Sequence, residues 1–182
     1  MDNTTNNYST GSTGQRRMLT GMFRDKESAE SAYTSLRSRG YSDQDINLLM
    51  SDDTRKKHFK HEDSAIGNKA MEGAGVGSAI GGTLGAIVGA IAAVGTSIAL
   101  PGLGLVIAGP IAAGLAGAGA GGLTGGVLGA LVGAGIPEDR AKEYESGIKE
   151  GGIVMGVNPR SDDDATYLEN EWKTYRGEKI YR

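Results

Sequence analysis

The sequence predicts an α+β protein: a small sheet with packed helices, interrupted by a long helical insertion. Three observations carry this. Short apolar runs of strand character alternate with amphipathic helical stripes near both ends of the chain. The order β-α-β occurs once before the middle and once after it. The middle, Gly73 to Pro137, holds no charged residue and places glycine at every fourth position in two long runs.

The first 15 residues are rich in Asn, Thr, Ser and Gly, carry no apolar secretory core, and read as a disordered tail. Arg17 to Phe23 is the first strand, with Leu19, Gly21 and Phe23 on one face. Asp25 is placed to cap a helix from Lys26 to Arg39, whose stripe is Ala29, Ala32, Tyr33 and Leu36. Gly40 follows as a C-terminal cap. After the polar turn Tyr41 to Asp45 comes a second strand, Ile46 to Ser51. Asp52 to Asp63 reads as a charged linker, so this first half and its linker occupy residues 16–64.

Residues 65–135 form the insertion. Gly73, Gly77, Gly81, Gly85 and Gly89 make one run. Gly117, Gly121, Gly125, Gly129 and Gly133 make the other, with Gly109 and Ala113 extending its register backwards. On a helix, a spacing of four puts these glycines on one face, where another backbone can approach closely. The expectation is an antiparallel glycine-zipper hairpin of two helices, Ala65 to Val94 and Val106 to Ala134. At 1.5 Å per residue each would reach ~45 Å, beyond the span a bilayer core requires. Gly95 to Leu105, with Pro101-Gly102, is the expected loop. Ile80, Ile87, Val94, Leu123 and Leu128 are left to face lipid or partners.

Residues 136–182 supply a helix and the second half. Pro137, Glu138 and Asp139 suit a helix start, and Ala141, Tyr144 and Ile148 form the buried stripe before Gly151-Gly152. Ile153 to Val157 is the third strand. Ser161 followed by Asp164 is a capping signature. It opens a helix with Ala165, Leu168, Trp172 and Tyr175 on one face, and Glu178 to Tyr181 follows as an edge strand. With the insertion removed, the order suits a ferredoxin-like βαβ-βαβ sandwich with two helices on one face of a four-stranded sheet.

Composition excludes several functions. The chain has 182 residues, a net charge of −3 and no cysteine, which removes disulfide and thiolate chemistry. The flanks carry 11 basic against 11 acidic residues before the block and 8 against 11 after it, so nucleic acid is not an expected partner. Of 31 glycines, 21 lie between Gly73 and Pro137, and none follows a collagen period.

Candidate chemistry is sparse. His58, His61 and Glu62 share a helical face, but their charged surroundings favour a solvated linker over a metal site. Gly117, Gly119 and Gly122 satisfy the dinucleotide spacing without the preceding strand that it needs. Asp162, Asp163 and Asp164 fit a helix N-terminus better than a cation site. Trp172, Tyr175, Tyr33 and Tyr144 read as core. Arg55, Lys56, Lys57 and Lys60 read either as a solvated linker or as an anchor to anionic lipid. No catalytic, cofactor-binding or metal-binding residue and no small-molecule substrate is assigned; the ten zipper glycines are the helix-packing site.

The opening MFRDKESAESAYTSLRSRGYSDQDINLLMSDD, the glycine-repeat middle and the segment IPEDRAKEYESGIKEGGIVMGV resemble the bacterial general stress protein and low-temperature-induced protein family. The resemblance spans roughly Met18 to Val157. It implies a stress-response role and supplies no catalytic residues, since the family carries no established biochemical activity.

The expectation is therefore a non-enzymatic protein tethered or oligomerised at the bacterial inner membrane, with lipid and its own copies as partners. Arg55, Lys56, Lys57, Lys60 and Lys69 before the block, and Arg140 and Lys142 after it, place both flanks on the cytoplasmic side. The alternative is a cytoplasmic, self-associating protein without a membrane span. It rests on the weak apolarity of Gly and Ala and on the lack of aromatic anchors in the far loop.

Overall fold

The computed structural model describes residues 18–59, 87, 98–100, 104–112 and 126–182. The strands are β1 (Leu19–Phe23), β2 (Ile46–Ser51), β3 (Ile98–Leu100), β4 (Leu105–Ala108), β5 (Ile153–Val157) and β6 (Glu178–Tyr181). The helices are α1 (Lys26–Ser38), α2 (Asp52–His58), α3 (Gly126–Gly133), α4 (Glu138–Lys149) and α5 (Asp162–Thr174). The fold is α+β, built on one antiparallel sheet in the order β3-β4-β2-β5-β1-β6.

Strand β5 is the axis of this sheet. On one side Leu19 pairs with Val157 and Phe23 with Ile153; on the other Ile46 pairs with Val157 and Met50 with Ile153. Strands β1 and β2 thus run parallel to each other with β5 between them, as a helix returning over the sheet requires. Residues before and after the glycine-rich block therefore share hydrogen bonds in one sheet.

The sequence dictates the helix ends directly. The Asp25 carboxylate accepts the Ser28 N–H at 2.8 Å, and the Ser161 hydroxyl accepts the Asp164 N–H at 3.0 Å. Gly40 takes φ +85° just past α1, a conformation that glycine adopts without a Cβ penalty. The expected stripes are buried on α1 (Ala29, Ala32, Tyr33 and Leu36) and on α4 (Ala141, Tyr144 and Ile148). On α5, Ala165, Leu168 and Trp172 are buried, while Tyr175, expected on the same stripe, caps the helix end and is half-buried against the core.

Each sheet face has its own core. Helices α1 and α5 cover one face, where Tyr33, Leu36, Leu168 and Trp172 meet Leu19, Phe23 and Met155. The Trp172 ring stands edge-on to Phe23 at 5.6 Å. Helices α3 and α4 cover the other face, where Leu131, Tyr144 and Ile148 meet Met22, Leu49 and Val154.

Three expectations are corrected. The charged linker begins as helix α2: the Ser51 hydroxyl accepts the Thr54 N–H at 3.0 Å, and Asp52 and Asp53 favour the positive end of the turn. The expected loop and the start of the second zipper helix instead form a β-hairpin, with Ile98 opposite Ile107 and Leu100 opposite Leu105. The continuous helix Val106 to Ala134 is not formed, because Leu105–Ala108 is a strand and Gly109 takes φ +96°. That left-handed backbone ends a right-handed helix. Gly126, at φ +65°, starts α3 afresh. Gly109 therefore belongs to a strand end rather than to a zipper register.

Candidate functional site

The glycine-rich block is the candidate site. Of the ten helix-packing glycines, Gly129 and Gly133 are described, and both lie on α3. Gly73, Gly77, Gly81, Gly85, Gly89, Gly117, Gly121 and Gly125 lie outside the described residues, as do Ala65–Lys69 and Pro101-Gly102. Helix α3 turns Val127, Ala130 and Leu131 to the core, while Gly133 and Val132 are exposed and Gly129 is half-buried. Its described packing therefore rests on Val127, Ala130 and Leu131 rather than on Gly129 and Gly133.

The described parts of the block are packed onto the sheet. Ile87 is helical, fully buried and part of the core beneath α1, and its N–H donates to Glu30 Oε2 at 3.3 Å. It therefore does not face outward, as the sequence suggested. Strand β4 puts Val106 and Ala108 into the same core, and Leu105 and Ile107 into the opposite one. Leu128 is partly buried against that second core. Among the described residues, no helix is long and apolar enough to cross a membrane.

Asn47 holds the exit from β4. It is 1% exposed, accepts the Ile111 N–H on Oδ1 at 2.8 Å and donates from Nδ2 to the Gly156 carbonyl at 3.4 Å. Leaving a buried backbone N–H unpaired costs about 1–3 kcal/mol, so this side chain fixes where the chain turns after the strand. Gly109 is needed beside it: a Cβ there would lie 2.2 Å from the Ile46 carbonyl oxygen. A polar residue inside the apolar run INLLM was the available signal for Asn47 in the sequence.

The sequence-flagged polar residues are dispersed. His58 ends α2, half-buried, with its ring 6.4 Å from Phe59; His61 and Glu62 lie outside the described residues. No group of three metal-ligating side chains occurs among the described residues. Arg55 and Lys56 pair with Asp52 at 2.8 and 2.6 Å, Lys57 is exposed, and Lys60 lies outside the described residues. The glycines at 117, 119 and 122 also lie outside them.

Asp164 does more than favour a helix terminus. It is 8% exposed, takes the Tyr41 phenol proton on one oxygen and the Arg39 Nε–H on the other at 2.7 Å. The Tyr41 oxygen in turn accepts the Arg160 N–H at 3.1 Å. This cluster ties the turn after α1 to the start of α5. Burial alone would raise the Asp164 pKa, but the Tyr41 and Arg39 hydrogen bonds outweigh it and hold the carboxyl below its ordinary value. Burial, then the bond to Asp164, pushes the Tyr41 phenol up. On the opposite face the buried Tyr144 hydroxyl bridges Thr20 Oγ1 at 2.8 Å and the Lys179 carbonyl at 2.7 Å. Each phenol joins segments far apart in the chain, a structural use of its polar end.

No known family model, curated protein or solved structure matches the chain.

Proposed function

We propose that this is a non-enzymatic stress-response protein that acts by self-association through its glycine-rich block. One observation favours self-association over a bilayer hairpin: Ile87, the β3-β4 hairpin and α3 lie on both faces and at one edge of the α+β sheet. The described parts of the block thereby extend the domain. In this reading the frame of β1, β2, β5 and β6, with α1 and α5, is a ferredoxin-like sandwich that anchors the block. Its small residues serve close helix contact between copies. The stress-response part rests on the resemblance of MFRDKESAESAYTSLRSRGYSDQDINLLMSDD and IPEDRAKEYESGIKEGGIVMGV to bacterial stress-induced proteins.

The second reading is tethering at the inner membrane with both flanks in the cytoplasm. It is favoured by the 65 uncharged residues from Gly73 to Pro137 and the basic residues just outside them. Fractionation of cells expressing the full chain, with an alkaline carbonate wash of the membranes, separates the two. Self-association without a span expects release by carbonate. A pellet that needs detergent supports the membrane hairpin and overturns the first reading.

A further inference from the structure

Between α1 and α5, on the side away from the sheet, runs a groove of about 500 Å³. Helix α1 lines it with Lys26, Glu27, Glu30, Thr34 and three serines; α5 lines it with Tyr167, Glu171 and Tyr175. The serines of this wall present acceptors. Ser31 donates its hydroxyl proton to the Glu27 carbonyl at 2.8 Å, Ser35 to the Ala32 carbonyl at 2.7 Å, and Ser38 to the Ser35 carbonyl at 2.9 Å. A carbonyl only accepts, so each of these protons is committed and each serine oxygen keeps acceptor lone pairs alone. The Tyr175 phenol donates to Glu171 Oε2 at 3.0 Å. The carboxylates are acceptors as well.

The wall carries three carboxylates, Glu27, Glu30 and Glu171, against one ammonium, Lys26. The Lys26 ammonium sits 5.6 Å from the centroid of the Phe59 ring. Tyr167 already stacks with a cation, the Arg39 guanidinium at 3.8 Å, so this ring is placed for cation–π contact. A cavity that combines acceptors, carboxylates and phenol rings favours a guest that brings donors and positive charge.

We propose that the α1–α5 groove binds a small organic polycation of the alkyl-polyamine class. Its ammonium groups meet the Glu27 and Glu171 carboxylates, and its methylene stem lies along Tyr167 and Tyr175. This inference does not depend on the self-association reading, because the groove lies between α1 and α5 of one copy.

The test is a titration of the full chain with spermidine, followed by amide chemical shifts. The expected result is saturable binding near one equivalent, with the shifts concentrated on α1 and α5. Glu171→Gln keeps an acceptor for Tyr175 and removes the charge; Glu27→Gln alters an exposed side chain. Each is expected to weaken binding by about tenfold, the scale of one charge-assisted contact. An uncharged diol of equal length is expected not to bind. Lack of saturation, shifts scattered over the acidic surface, or unchanged affinity in both variants would overturn the proposal.

Discussion

The two halves of the frame and the glycine-rich block meet in one sheet, yet their order is encoded differently. In the frame, α1 and α5 begin at side-chain caps and bury large residues at helical spacing, among them Tyr33, Leu36, Leu168 and Trp172. Polar clusters then lock the pieces together, as Asp164 does for Tyr41 and Arg39. In the block, α3 carries no charged residue in either terminal turn and buries only Val127, Ala130 and Leu131. Order there is borrowed from the frame: Asn47 on β2 holds Ile111, and Glu30 on α1 holds Ile87. A segment of small residues has few contacts of its own with which to offset its conformational entropy, so its neighbour supplies them.

The comparison breaks most visibly at the cores. Trp172→Ala empties a fully buried site in the frame and is expected to cost about 3–5 kcal/mol, read from the urea midpoint. Leu131→Ala, equally buried but in the block, is expected to cost about 2–5 kcal/mol in the same single transition. If Leu131→Ala instead left that transition unmoved, the block would be folding apart from the sheet.

The junction between the regions comes next. Gly109→Val needs a left-handed backbone and collides with the Ile46 carbonyl, so a loss of roughly 2–3 kcal/mol is expected. Hydrogen exchange should show β4 opening more than β1. Equal protection of the two strands would mean that the β4 exit is not set by this glycine.

Electrostatics sharpen the frame's side of the contrast. The folded Asp164 carboxyl titrates below its unfolded counterpart, so its contribution is present above the unfolded pKa and is lost as pH falls through the folded one. Asp164→Asn is therefore expected to lower stability at neutral pH. The gap to wild type should shrink on acidification below about pH 4, where the unfolded carboxyl protonates. A gap independent of pH would contradict the assigned pairing. The smallest effect is that of Ser161→Ala, the loss of one cap, expected at about 1 kcal/mol by thermal or urea unfolding. No measurable change would show that α5 is held at its start by Asp164 alone.

The same contrast explains what was legible in the sequence. The frame's helices could be read because each has a side-chain cap, a stripe of large residues and a glycine stop, as in Ser161, Trp172 and Gly177. The block offered only glycine spacing. That spacing describes a face once the backbone is helical and does not make it so. Val106-Ile107, β-branched and set between Gly104 and Gly109, form a strand. Charge masked α2, whose Ser51 cap and acidic first turn were present among its basic residues. Asn47, Asp164 and the α1–α5 groove depend on residues far apart in the chain, which no local pattern brings together.

Sedimentation equilibrium of the full chain without detergent, beside Gly81→Leu and Gly125→Leu, tests the central claim most directly. Self-association through the glycine-rich block expects a discrete wild-type oligomer that both variants shift to monomer, with the frame still folded by circular dichroism. A wild-type monomer at micromolar concentration, or an oligomer unchanged by both substitutions, would contradict it.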